Sequence, residues 1–359
     1  MSVLALDGPR FELALSENPF RPLRSVRRAL ERAAAQANRY PEFLPHRLPA
    51  LIAARLGVDP AQVVVGSGAT GVALQAMQAL ARPGRRIVFA APTFDGYPIL
   101  ASMVGLEQAA VPLGPDGQQD LAAMSEAIDD RTALVVVCRP HNPTGTVVGA
   151  DALLAFLAAV PAHVVVVLDE AYVEFLAPAL TVDARKLVGA FPNVLVLRTF
   201  SKAYGLAALR IGFGFGAPEL LERVHRMQLP FGVGGLAEPA VRASFEAQSE
   251  LAERVRAINA ERDRMRLELS AIGIETPCSH ANFLYLAAPD RPVAALLADA
   301  GVAAKTYPSG AVRIAVGDPI AGRAVVHALT PTSGRSGGCP SGSRQAAEVG
   351  PVPGRRSCS

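Results

Sequence analysis

VLVLRTFSKAYGLAALRIG, residues Val194 to Gly212, changes character three times within one short run. It opens as a buried strand, because Val194, Leu195, Val196 and Leu197 form an apolar, partly β-branched run after the turn-like Pro192-Asn193. It then turns polar at Thr199, Ser201 and Lys202, and is apolar again up to Arg210. Burial at the end of a strand favours the neutral form of a lysine, and a desolvated amine is a nucleophile able to form a Schiff base with a carbonyl. Two hydroxyls and the guanidinium of Arg210 are donors suited to a phosphate monoester. Taken alone, the Ser201-Lys202 pair reads more readily as a strand followed by a loop with one snorkelling lysine.

A Schiff-base lysine beside a phosphate cup is the anchorage of pyridoxal 5'-phosphate (PLP). The run RTFSKAYGLAALRIG closely resembles the lysine segment of the class-II-like PLP-dependent aminotransferases, in particular the bacterial histidinol-phosphate and aromatic (phenylalanine) enzymes. The resemblance extends from about Leu13 to Leu329, with the motifs in the family's order. It implies an α/β protein of PLP fold type I, with a mostly parallel seven-stranded sheet and a smaller α+β domain drawing on both chain ends. The expected division is 1–44 as N-terminal arm and part of the small domain, 45–230 as the large cofactor domain, 231–330 as the small domain, and 331–359 as a disordered tail.

Each motif carries its own chemistry. Val63-Val64-Val65-Gly66 reads as a strand, and the turn Gly68-Ala69-Thr70 before an apolar helix presents backbone N–H groups to an anion. In the family this turn holds the cofactor phosphate, with an acidic residue common where Thr70 stands. After the strand beginning at Arg86, Phe94 matches the position that stacks on the pyridine ring. Strand 133–138 leads to Arg139-Pro140-His141-Asn142-Pro143-Thr144-Gly145, where Asn142 is placed to donate to the cofactor's phenolic oxygen. Arg139 and His141 depart from the family's P-N-N-P-T-G, and proton transfer is assigned to the lysine, not to His141.

The run HVVVVL, 163–168, delivers Asp169-Glu170-Ala171-Tyr172 at its end. A carboxylate there needs a partner, and the resemblance makes Asp169 the partner of the pyridine nitrogen and Tyr172 a donor to the phenolic oxygen. Thr199, Ser201 and Arg210 complete the phosphate cup around Lys202. Tyr40, in Asn38-Arg39-Tyr40-Pro41, matches a tyrosine that reaches the neighbouring subunit's cofactor phosphate, which implies a homodimer with a composite site. Asn18 belongs to the entry loop LALSENPFRP and is expected to touch substrate, although Arg21 stands where glycine is usual. Arg313, mid-strand in VRIAVG, is expected to bind the substrate's carboxylate or phosphate, and Lys305 stands where histidinol-phosphate enzymes carry a second arginine.

Composition bounds the alternatives. The chain has 359 residues, half of them hydrophobic, and a formal charge of +3. From Pro331 onward four arginines face one glutamate, so the excess sits in the tail and the body is near neutral. A basic face for nucleic acid is therefore not expected. No apolar run approaches about 18 residues, and the first residues show no signal-peptide pattern, so a cytoplasmic protein without a membrane partner is expected. Cys138, Cys278, Cys339 and Cys358 lack metal or C-x-x-C spacing and are read as reduced thiols.

The expected activity is transamination between a small-molecule amino donor and a 2-oxo acid such as 2-oxoglutarate. Histidinol phosphate, a donor of histidine biosynthesis, is the first choice from overall resemblance, with an aromatic amino acid such as phenylalanine as the alternative. A threonine-phosphate decarboxylase-like lyase is a remoter one. A PLP-binding regulator would require a winged-helix domain for which the N-terminal segment is too short.

Overall fold

The computed structural model describes residues 10–331, so the expected tail lies, from residue 332 on, outside the described residues. A short strand β1 (Phe11–Glu12) precedes the strands of the main sheet. These are β2 (Val63–Ser67), β3 (Arg86–Ala91), β4 (Glu107–Pro112), β5 (Thr132–Cys138), β6 (Val165–Asp169), β7 (Val194–Thr199) and β8 (Ile211–Gly216). They lie in the order β2-β8-β7-β6-β5-β3-β4. Only β8 runs against the others, pairing antiparallel with both β2 and β7. The seven-stranded, mostly parallel sheet expected from the sequence is present.

The valine-rich runs explain themselves once the sheet is covered on both faces. Successive side chains of a strand point to opposite faces. Val135, Val137, Val166, Leu168, Val194 and Val196 enter one core, with the helices Arg47–Leu56 and Ala150–Ala159. Leu134, Val136, Val165, Val167, Leu195 and Leu197 enter the other, with the helices Gly68–Leu80 and Pro218–His225. Alternation is thus real but invisible in hydropathy, because both sides are apolar.

The C-terminal part forms a second, three-stranded sheet in the order β11-β12-β9. Its strands are β9 (Phe283–Leu286), β11 (Lys305–Thr306) and β12 (Val312–Ala315), while β10 (Val302–Ala303) pairs in parallel with β1. Leu13 N–H donates to Ala303 O at 3.0 Å, and Ala315 N–H to Leu13 O at 2.8 Å, so the N-terminal segment is sewn onto this sheet. The charged segment after Leu236 is two helices, Ala237–Glu246 and Gln248–Ala271, broken at Ala247.

Among the described residues no helix is long and apolar enough to cross a membrane. Cys138 is a free, buried thiol, whereas Cys278 is disulfide-bonded, which corrects the expectation of four reduced cysteines.

Candidate active site

In an open α/β sheet, ligands sit at the carboxyl ends of the parallel strands. Here β2, β5, β6 and β7 end at Ser67, Cys138, Asp169 and Thr199, and the antiparallel β8 starts beside them at Ile211. Register confirms the convergence, with Cys138 opposite Asp169 and Thr199 opposite Gly212. Motifs more than 130 residues apart in sequence therefore border one cavity of about 500 Å³. Its lining includes Ala69, Thr70, Phe94, Asn142, Asp169, Tyr172, Thr199, Ser201, Lys202, Arg210, Lys305 and Arg313.

The phosphate cup is built by close backbone approach. Gly68 adopts a φ of +73°, and a Cβ there would strike the Arg210 guanidinium. A Cβ on Gly212 would strike the Gly68–Ala69 backbone. The helix Gly68–Leu80 starts at the cup: Gly68 N–H donates to Arg210 O at 2.9 Å, and among the described residues no side chain caps the N–H groups that follow. Ser201 N–H donates to Thr199 Oγ1 at 3.1 Å, Thr199 Oγ1 to Ser201 Oγ at 3.0 Å, and Arg210 Nη1 to Ser201 Oγ at 3.4 Å.

Asp169 is 9% exposed and accepts from Tyr97 Oη at 2.6 Å and from Ala171 N–H at 3.0 Å. Burial pushes its carboxyl above the usual range, while the Tyr97 hydrogen bond and the nearby Lys202 charge pull it back down. Burial and the facing carboxylate raise the Tyr97 phenol well above its ordinary value, so Tyr97 stays a donor. Two hydrogen bonds leave lone pairs on a buried carboxylate unused, which suits a cationic N–H partner.

Lys202 Nζ lies 2.8 Å from Ser16 Oγ and 3.1 Å from Ser16 O. Ser16 Oγ lies in turn 2.8 Å from Tyr172 Oη, and Asn142 Nδ2 makes a long 3.5 Å contact with the same phenol. Arg313 donates from Nη1 to Asn142 Oδ1 at 2.7 Å and from Nη2 to Ala14 O at 2.9 Å. Its Nε has no hydrogen-bond partner among the described residues.

Asn18, Tyr40, Lys305 and His141 sit differently with respect to the cavity. Asn18 does not line the cavity: its amide donates to the carbonyls of Lys202 (3.1 Å) and Ala203 (2.9 Å), so it braces the lysine loop. Tyr40 is 85% exposed and lies against Phe231 outside the cavity, with ring centroids 4.9 Å apart. Lys305 does line the cavity, but its Nζ is bound by Asp95 Oδ2 at 2.8 Å. His141 is fully buried, bonded to Thr144 Oγ1 at 3.0 Å, and pushed down to about 3 by burial, so it is neutral and outside the cavity. Two residues that matter were not singled out. Tyr97 was legible as a tyrosine in an apolar helix start, whose phenol needs a buried partner. Ser16 lies two residues before Asn18 in the same entry loop, with no local pattern to single it out.

The family model for "Aminotransferase class I and II" matches residues 10–329. The chain belongs to this family. An aromatic amino acid aminotransferase of Cutibacterium acnes is 45% identical over 308 residues, covering 85% of this chain and 88% of that protein. One from Thermobifida fusca is 43% identical over 319 residues, covering 88% and 89%. A solved histidinol-phosphate aminotransferase from Sinorhizobium meliloti, in complex with PLP, superposes with a TM-score of 0.83 at 27% identity, covering 89% of this chain and 90% of that one. This aminotransferase depends on PLP, and its residues fit the cofactor. The glycine cradle with Arg210 matches a phosphate, the half-satisfied buried Asp169 matches a protonated ring nitrogen, and Lys202 reaches the same cavity.

Proposed function

We propose that this aminotransferase takes its amino group from an aromatic amino acid, phenylalanine foremost, and passes it to a 2-oxo acid. The observation that carries the choice is the 2.8 Å ion pair between Lys305 and Asp95. A phosphate-bearing donor calls for two cations, and the second one is neutralised by a neighbouring carboxylate. Arg313 supplies one guanidinium fork, which suffices for a single carboxylate. Phe94, Tyr307 and the aliphatic Leu15 offer apolar lining for a ring. The names of the relatives at 43–45% identity support the same donor ahead of histidinol phosphate.

PLP, when bound, supplies an electron sink for the carbanion at the substrate's α-carbon. The chain's residues do the rest. Asp169 would hold the ring nitrogen protonated, and Ser201, Arg210 and the backbone N–H groups that follow Gly68 would hold the phosphate. Asn142 and Tyr172 would donate to the phenolic oxygen. Arg313 orients the donor by its carboxylate, and the freed amine of Lys202 moves the proton to and from the α-carbon.

The same proposal includes a cytoplasmic homodimer, with Tyr40 crossing to the partner's phosphate cup, and the division at residues 44 and 230 into large and small domains. Support for the dimer comes from the exposed Tyr40 (85%), Phe43 (60%) and Leu229 (65%), which leave apolar surface uncovered.

A panel of donors mixed with the PLP form, followed by absorbance, tests the donor. Phenylalanine should convert the bound cofactor at far lower concentration than histidinol phosphate does. The opposite order, together with selective loss of histidinol phosphate turnover in Lys305→Ala, would return the assignment to the phosphate donor.

A further inference from the structure

We infer that Ser16 is a positioning residue for the free amine of Lys202, tying that amine to the C-terminal sheet and fixing the proton direction of Tyr172. The segment carrying Ser16 is suspended from the C-terminal sheet at successive points. Leu13 exchanges backbone hydrogen bonds with Ala303 and Ala315, Ala14 O accepts from Arg313, and Ser16 O accepts from the wholly buried Asn282 at 3.3 Å. From there Ser16, only 4% exposed, reaches Lys202 and Tyr172, which both stand on the edge of the main sheet. Among the described residues Lys202 Nζ has no other hydrogen-bond acceptor than the two oxygens of this one residue.

Proton accounting gives the hydroxyl a definite role. Lys202 Nζ donates an N–H to Ser16 Oγ, and the hydroxyl's own proton then goes to Tyr172 Oη, 2.8 Å away. Tyr172 Oη also faces the Asn142 amide donor. With donors arriving from two sides, the single Tyr172 proton is left to point into the cavity. Ser16 therefore does two things: it stops the long lysine stem from wandering while the amine is free, and it presents Tyr172 as a donor to whatever oxygen occupies the cavity. Because Ser16 belongs to the C-terminal sheet, both effects depend on that sheet being docked against the site.

The inference rests on transamination as such and not on the choice of donor. The holoenzymes of Ser16→Ala and Ser16→Thr are compared with the parent. Borohydride-reducible cofactor should be unchanged in both, which separates this test from failure of cofactor attachment. In single turnovers with α-deuterated phenylalanine, Ser16→Ala should lose up to about tenfold in the proton-transfer step, the worth of one hydrogen bond. Its deuterium isotope effect should rise while donor affinity changes little. If phenylalanine does not react with the parent enzyme, the donor reading has failed, and α-deuterated glutamate serves in its place. A second readout avoids turnover: in the pyridoxamine form, cyanate should carbamylate Lys202 several-fold faster in Ser16→Ala than in the parent, as read by peptide mass. Ser16→Thr, which keeps the hydroxyl, should restore both values. If Ser16→Ala does not fold, Ser16→Cys, a near-isostere and weaker acceptor, takes the same measurements. An unchanged isotope effect and carbamylation rate in the alanine or cysteine variant, or a threonine variant as impaired as alanine, would overturn the inference.

Discussion

Tyr97 donates its phenol proton to Asp169 Oδ2 across 2.6 Å, and the two side chains are 2% and 9% exposed. That bond opposes the upward push that burial exerts on the Asp169 carboxyl. Removing it should let the carboxyl rise further, so that it takes up a proton at higher pH. Tyr97→Phe is therefore expected to move the acidic limb of the kcat/KM profile upward in pH, with activity near the optimum lowered by about tenfold, the worth of one such hydrogen bond. Asp169→Asn should bind cofactor yet lose most activity at every pH, because an amide does not sustain a protonated ring nitrogen. A pH–rate profile of the two variants checks both; an acidic limb left in place in Tyr97→Phe would contradict the coupling.

Gly68, like Gly212, is a position where the phosphate cup leaves no room for a Cβ. Its φ of +73° costs an L residue on the order of 1 kcal/mol, and the added Cβ would displace the Arg210 guanidinium from Ser201. Gly68→Ala should weaken PLP binding by about tenfold or more, since an ionic hydrogen bond is worth about 1.5–3 kcal/mol. Equilibrium dialysis of the apoenzyme against PLP measures it, and an unchanged dissociation constant would show that the cup lies elsewhere.

Much of this site was legible because parallel strands deliver their last residues to one edge. A buried valine run followed by Asp169, by Lys202 or by the Asn142 turn places each group at a strand's carboxyl end, and the order of the motifs fixes the set. Side-chain pairings between distant segments were not legible. Asp95 and Lys305 meet only because the C-terminal sheet folds back over the helix start at Gly96, and no local pattern carries that. Asn18 was expected to touch substrate as part of the entry loop. The backbone carbonyls of Lys202 and Ala203 claimed it first.

The short helical turn Val173–Phe175 after β6 also hides a pH-dependent cost. Glu174 keeps some exposed surface, but its Oε2 is enclosed without a partner, and burial raises its carboxyl from 4.5 to about 7. A carboxyl raised on folding contributes stability that is complete below the unfolded value and is lost as pH rises through the folded one. Between about pH 4.5 and 7 the native state should therefore lose roughly 1–3 kcal/mol on this account. Glu174→Gln, uncharged throughout, should be more stable than the parent at pH 8 and show no advantage at pH 4.5. Urea unfolding at the two pH values reads the difference; an equal gain at both would assign it to packing instead of ionisation.

The chain contains three lysines, Lys186, Lys202 and Lys305, so the site of cofactor attachment can be assigned without ambiguity. Lys186 lies exposed in the helix Ala184–Ala190, away from the cavity, and Lys305 is held by Asp95. The most direct measurement is borohydride reduction of the PLP form followed by digestion and peptide mass mapping. The account expects the phosphopyridoxyl mass on Lys202 alone, with loss of the adduct and of turnover in Lys202→Ala. A label on Lys186 or Lys305, or normal turnover in Lys202→Ala, would contradict it.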